Sequence, residues 1–184
     1  TVVSTPTSAT RVLRVRVDQD PWTNNDVRTA LKYCHNREKI LALALQNQGI
    51  IGNDSHVCEA NPEYSPLDPY PFDPEKSKSL LASAGYPDGL TVELCVASDW
   101  PESMAYAQAL KEDAAAGGFT INLKTMPASE YWNGWTDFNM GITWWAHRTQ
   151  ALITLGLAYT ADETGKPGAW NESHWVDSEF TEIL

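Results

Sequence analysis

The stretch Asp137–Arg148, DFNMGITWWAHR, limits what this chain can fold into more than any other. Its residues alternate with a period of two. Phe138, Met140, Ile142 and Trp144 project from one side of a strand, and Asn139, Gly141, Thr143, Trp145 and His147 from the other. The first set is large and apolar throughout, which places Trp144 with the core. The second is small or polar until Trp145 and His147, and Arg148 follows. A strand that ends this way leaves its sheet at a ligand cleft. The alternative is that both tryptophans are core and His147 is a loop residue.

The flanking patterns say what kind of sheet receives this strand. Val12–Val17 alternates as a strand, with Leu13, Val15 and Val17 on one face. A helix follows, with Asn25 as its expected N-cap and Val27, Ala30, Leu31 and Cys34 as its apolar stripe. Asn36 caps a second helix over Arg37–Gln48, with Gly49 at its C′ position. Gly49–Phe72 is long, Pro-rich and aperiodic, the kind of loop that is functional or packed on the body. Asp73-Pro74 opens a helix that runs to about Ala84. Then come a strand at Leu90–Val96, a helix at Pro101–Ala116, a strand at Phe119–Met126, a short helix at Ser129–Trp135 and the strand described first. An apolar helix at Ala151–Tyr159, a polar loop carrying Trp170, Asn171, Glu172, His174 and Trp175, and a final short helix complete the chain.

Strand, helix, strand, helix, strand from Leu90 to Trp145 implies parallel strands joined by crossovers. The expected fold is α/β, a mixed β-sheet flanked by helices, with a linker at 1–10 and one domain at 11–184. Ligands of such sheets bind outside the carboxyl ends of the strands. That is where Trp145, His147 and Arg148 stand, and Trp170 and Asn171 of the late polar loop join them as candidate ligand residues.

With 184 residues the chain can hold one domain with a real core. A net charge of −11 argues against nucleic acid or an anionic membrane as partner, since both need a basic face. Eight tryptophans exceed what one core absorbs and point to an aromatic recess. Cys34, Cys58 and Cys95 lie far apart in no zinc spacing, and the sequence does not say which of them, if any, pair. No phosphate loop, nucleophile elbow or zinc-protease motif occurs. His56, His147 and His174 with Asp54 or Glu172 are a weak metal constellation, and Asp54 with His56 an acid–base pair lacking a nucleophile. No catalytic residue, metal site or cofactor is expected.

Several ordered segments resemble one family. They are Asn24–Leu31 followed by Asn36–Ile40, Phe72–Lys76 with Leu80–Tyr86, and Gly89–Leu94. Tyr131-Trp132 with Phe138–Met140 and Trp145 comes next, and Asn171 through Leu184 closes the series. In this order they are similar to the extracellular solute-binding proteins of family 5, the peptide-, oligosaccharide- and nickel-binding components of ABC importers. The resemblance implies a periplasmic or otherwise extracytoplasmic monomer without enzymatic activity. Its partners would be a small-molecule or peptide ligand, held between two lobes that close on it, and a membrane permease. It also implies that this chain is one lobe of a longer bilobal protein with a signal peptide ahead of it. Peptide binders of the family carry an acidic residue shortly after the strand tryptophan. Here His147-Arg148-Thr149-Gln150 stands at that place without a carboxylate. An arginine there favours a carboxylate or phosphate over an ammonium, and the tryptophan count suits stacking on a sugar face or an aromatic ligand, so a sugar, an opine-like or another anionic compound stands beside the oligopeptide as expected ligand. An enzyme reusing the lobe is the remaining alternative.

Overall fold

The computed structural model describes residues 5–184. Four strands form one sheet in the order β1-β4-β2-β3: β1 Thr10–Val15, β2 Leu90–Ala97, β3 Phe119–Met126 and β4 Met140–Trp145. β2 runs parallel to both β3 and β4, and β1 is antiparallel to β4. The α/β reading with a mixed sheet therefore holds. The helices are α1 Asn25–Tyr33, α2 Arg37–Leu45, α3 Pro74–Ser83, α4 Pro101–Ala116, α5 Ala128–Gly134, α6 Ala151–Tyr159 and α7 Ser178–Ile183.

One face of the sheet carries the main core. Leu13 and Val15 of β1, Val92, Leu94 and Val96 of β2, Phe119 and Ile121 of β3, and Met140 and Ile142 of β4 pack under α1, α3 and α4. The helices meet them through Val27, Ala30, Leu31, Leu81, Ala107, Leu110 and Ala114, the stripes that the 3.6-residue period marks out. On the opposite face, Cys95, Ala97, Met126 and Tyr131 form a second, smaller cluster beneath α5. Gly89 closes the turn into β2 at φ +95, with a Cβ there only 2.6 Å from the Gly118 carbonyl oxygen, so only glycine fits.

Local signals place most helix ends. Asn36 and Asp73 each accept a backbone N–H of the first turn, from Lys39 at 3.1 Å and Lys76 at 2.9 Å. The cap of α1 is Asn24 rather than Asn25; its side chain accepts from Asp26 N. α2 stops at Leu45, short of Gln48, because Gln46 and Asn47 take left-handed conformations and donate back to Ala42 and Leu41. β1 lies two residues earlier than the alternation suggests. Val17 has already left the ladder and bonds to Ser173 O. Residues 46–73 contain neither helix nor strand. Of the expected linker, residues 1–4 lie outside the described residues, Ser8 is buried against the His147–Arg148 turn, and Thr10 opens β1. The three cysteines are unpaired, and Cys34 and Cys95 are buried.

Candidate functional site

β4 is buried on both faces as far as Thr143, and this decides the layout of its carboxyl end. Met140 and Ile142 face the main core, while Gly141, Thr143 and Trp145 are covered from the other side by α5 and by the loop after α6. That second layer is polar and closed. Glu172, on the loop, is 3% exposed and accepts from Arg14 Nε at 3.0 Å, from Trp145 Nε1 at 2.8 Å and from the Thr143 hydroxyl. Arg14 also donates to the carbonyls of Trp135 and Phe138, which ties α5 and the entry to β4 onto β1. Tyr131 Oη lies 3.0 Å from Thr143 Oγ1. Gly141 makes the arrangement possible, because a Cβ there would stand 2.6 Å from Tyr131 Oη and 3.0 Å from Arg14 Nη2. Burial pushes the Glu172 carboxyl upward, against the opposing pull of Arg14 and of the Thr143 and Trp145 donors.

Trp144 corrects the face assignment. Its parity with Met140 and Ile142 is right, but the core ends at Ile142, and Trp144 is 44% exposed. It pairs with Arg11 across the β1–β4 ladder, and the Arg11 guanidinium lies 5.4 Å from its ring centroid. Trp145 is the enclosed one, 4% exposed. Its ring packs edge-on against Trp135 at 6.1 Å, Trp170 at 6.0 Å and His56 at 5.0 Å.

Past the end of β4 these groups open onto a recess of about 390 Å³ lined by Trp132, Trp135, Thr143, Trp144, Trp145, Ala146, Arg148 and Trp170. Five of the eight tryptophans line it. A sixth, Trp100, stands behind Trp132 with ring centroids 5.2 Å apart. The recess lies at the carboxyl end of β4, beside α5, which follows β3; carboxyl strand ends are where open α/β sheets hold ligands. Trp132, Trp144 and Trp170 are each more than one-third exposed. A second hollow, of about 440 Å³, opens between Thr91, Glu93, Asp137 and Asp20 toward the start of β4.

The structure distributes the sequence candidates unevenly. Trp145, Arg148 and Trp170 come together at the recess. His147 is exposed and turned to the N-terminal segment; its Nδ1 accepts from Ser8 N at 3.1 Å. Asn171 is buried and spends its side chain on Trp175 O and the Ser173 hydroxyl. Sequence reasoning missed Trp132, Trp135 and Trp144 as lining residues, and Arg14 and Glu172 as the buried pair behind them. The surplus of tryptophan was the available signal for the first three. His56, His147 and His174 go separate ways, and among the described residues no three His, Cys, Asp or Glu side chains gather to hold a metal. Asp54 pairs with Arg37 at 2.7 Å, away from His56.

A four-stranded mixed sheet flanked by helices, with an aromatic recess at its strand ends, is an α/β ligand-binding architecture. Residues 1–160 match the model of the bacterial extracellular solute-binding proteins, family 5 Middle, and the chain belongs to that family. Among curated relatives it is 28% identical over 130 residues to the glutathione-binding protein GsiB of Salmonella choleraesuis, covering 70% of this chain and 25% of that one. It is 29% identical over 183 residues to heme-binding protein A of Haemophilus influenzae, covering 91% and 31%. Among solved structures, HbpA2 from Haemophilus parasuis superposes with a TM-score of 0.83 at 25% identity, over 95% of this chain and 35% of that one. The chain thus spans about a quarter to a third of the length of the curated relatives it matches.

Proposed function

We propose that this protein is the substrate-binding component of an ABC importer. Residues 11–184 form one of two lobes that close on an extracytoplasmic solute and present it to a membrane permease. The observation that carries this reading is the tryptophan recess. It is built on the rigid end of a sheet, walled by three half-exposed indoles and backed by a fully bonded polar layer that does not rearrange cheaply. Membership of the extracellular family supports a site outside the cytoplasm, with the periplasm as the compartment. The curated relatives are named as binding proteins, which supports capture without chemistry. The protein acts as a monomer, one recess to one ligand.

The test is a thermal-shift screen against peptides, sugars, opine-like acids and metal complexes, repeated with Trp170→Ala. A ligand at a hundred times its Kd stabilises by about 2.7 kcal/mol. The expected outcome is a shift that Trp170→Ala removes. A ligand whose shift is indifferent to Trp170→Ala and Trp144→Ala binds elsewhere and overturns the assignment.

A further inference from the structure

The charge lining the recess deepens that reading and rests on it. We infer that the ligand held here is an anion with a flat apolar body, a carboxylate on an aromatic or fused-ring group, and not a solute led by an ammonium. In a chain with 24 acidic and 13 basic residues, a recess wall with a lone guanidinium and no carboxylate is notable for its sign. Arg148 supplies that guanidinium. Among the described residues no carboxylate pairs with it. Its Nη1 donates to the carbonyls of Ala146 at 3.3 Å and His147 at 3.1 Å, which fixes the plane and leaves Nε and Nη2 to a guest.

Glu172, the acid bonded to Trp145 of the lining, is closed to a guest. It is sealed behind Trp145, and its oxygens already accept from Arg14, Thr143 and Trp145. A ligand ammonium entering the recess therefore finds no acceptor of charge and meets a cation instead. Arg11 adds a second positive charge over the ring of Trp144, with a 3.8 Å contact to half-exposed Glu102 to offset it. The body of the ligand follows from the walls. Half-exposed Trp132, Trp144 and Trp170 offer indole surface on which a planar group can stack.

The test uses three probes that share a ring and differ in charge: indole-3-acetate, indole-3-acetamide and tryptamine. Each is titrated into the protein by calorimetry or ligand-observed NMR. Indole-3-acetate is expected to bind about tenfold tighter than the amide, as a charge-assisted hydrogen bond provides, with tryptamine weakest. Arg148→Gln should bring the acid down to the level of the amide. Arg148→Lys should keep part of the preference, and added salt should shrink it. The Arg148 side chain bonds only to the carbonyls of Ala146 and His147, so a circular dichroism spectrum like the parent's is expected for both variants. If the three probes bind equally and Trp170→Ala weakens all of them, the recess is a ligand site and the anion inference falls. If none binds at millimolar concentration, the recess reading falls with it.

Discussion

The Nε1–H of Trp145 donates to Glu172 Oε1 across 2.8 Å, and with that bond the most conspicuous residue of the sequence becomes part of the frame of the site. An indole whose nitrogen is bonded and whose edges meet Trp135, Trp170 and His56 has one orientation. Adjacent Trp144, held on one face by Arg11, presents its other face outward.

The two tryptophans should therefore separate in mutagenesis. Trp145→Ala removes a buried ring and a donor to a buried carboxylate, and should cost roughly 3–5 kcal/mol of stability. Trp144→Ala removes a half-exposed ring with one cation–π contact, and should cost about 1 kcal/mol or less. Urea unfolding of both variants, followed by circular dichroism, reads the difference. Equal losses would mean that Trp144 packs as a core residue.

Arg14 and Glu172 make a second test. Both are almost fully buried and lie 3.0 Å apart. Removing either partner strands a charge in the second layer, so Arg14→Ala or Glu172→Ala should each cost roughly 3–5 kcal/mol. With both gone the penalty is shared, and the double variant should lose clearly less than the sum. Additive losses in a double-mutant cycle would show that the pair is incidental to the packing.

These two relationships also mark the limit of what the sequence discloses. Period-two and period-3.6 patterns expose the sheet, the helices and the main core, because each apolar face in that core is covered locally. They do not tell where a core layer stops along a strand, and so parity carries Trp144 one step too far inside. They also do not show that Arg14 and Glu172, 158 positions apart, meet beneath α5. An arginine between Leu13 and Val15 on a strand reads as a solvated face, and only the closing loop turns that face into an interior. Asn171 misleads for a similar reason: a polar loop residue beside Trp170 resembles a ligand contact, yet its amide bonds to the Trp175 carbonyl to fold the loop.

The turn that carries Arg148 is fastened from two distant segments. Ser8 Oγ donates to Arg148 O at 2.7 Å and accepts from Arg148 N at 3.0 Å, and Asn61 Nδ2, from the long loop, donates to the same carbonyl at 3.0 Å. Ser8→Ala leaves the Arg148 amide without its acceptor, and Asn61→Ala strips the carbonyl of one donor. Each should cost about 1 kcal/mol. Hydrogen exchange at residues 147–151 should quicken in both variants, while exchange in β2 and β3 stays as it is. Unchanged protection in the turn would show that it holds its shape without these contacts.

Acid should weaken the protein through its buried histidines before the carboxylates matter. His56, pressed between Trp145 and Tyr159, has an Nδ1 without a hydrogen-bond partner, and burial lowers its pKa from 6.5 to about 4. His35, enclosed between Leu31 O and Tyr106 Oη, is likewise lowered to about 4 by burial, assisted by Arg37. The unfolded chain takes up these protons at higher pH than the folded one. Stability is therefore greatest above the unfolded value, falls as pH drops from about 6.5, and levels off below about 4. His56→Phe keeps the ring contacts and removes one of the two protons. The variant should lose less stability than the parent between roughly pH 7 and pH 4.5, with His35 supplying what slope remains. Urea midpoints at the two pH values decide the matter, and an identical drop in parent and variant would mean that His56 does not titrate against folding.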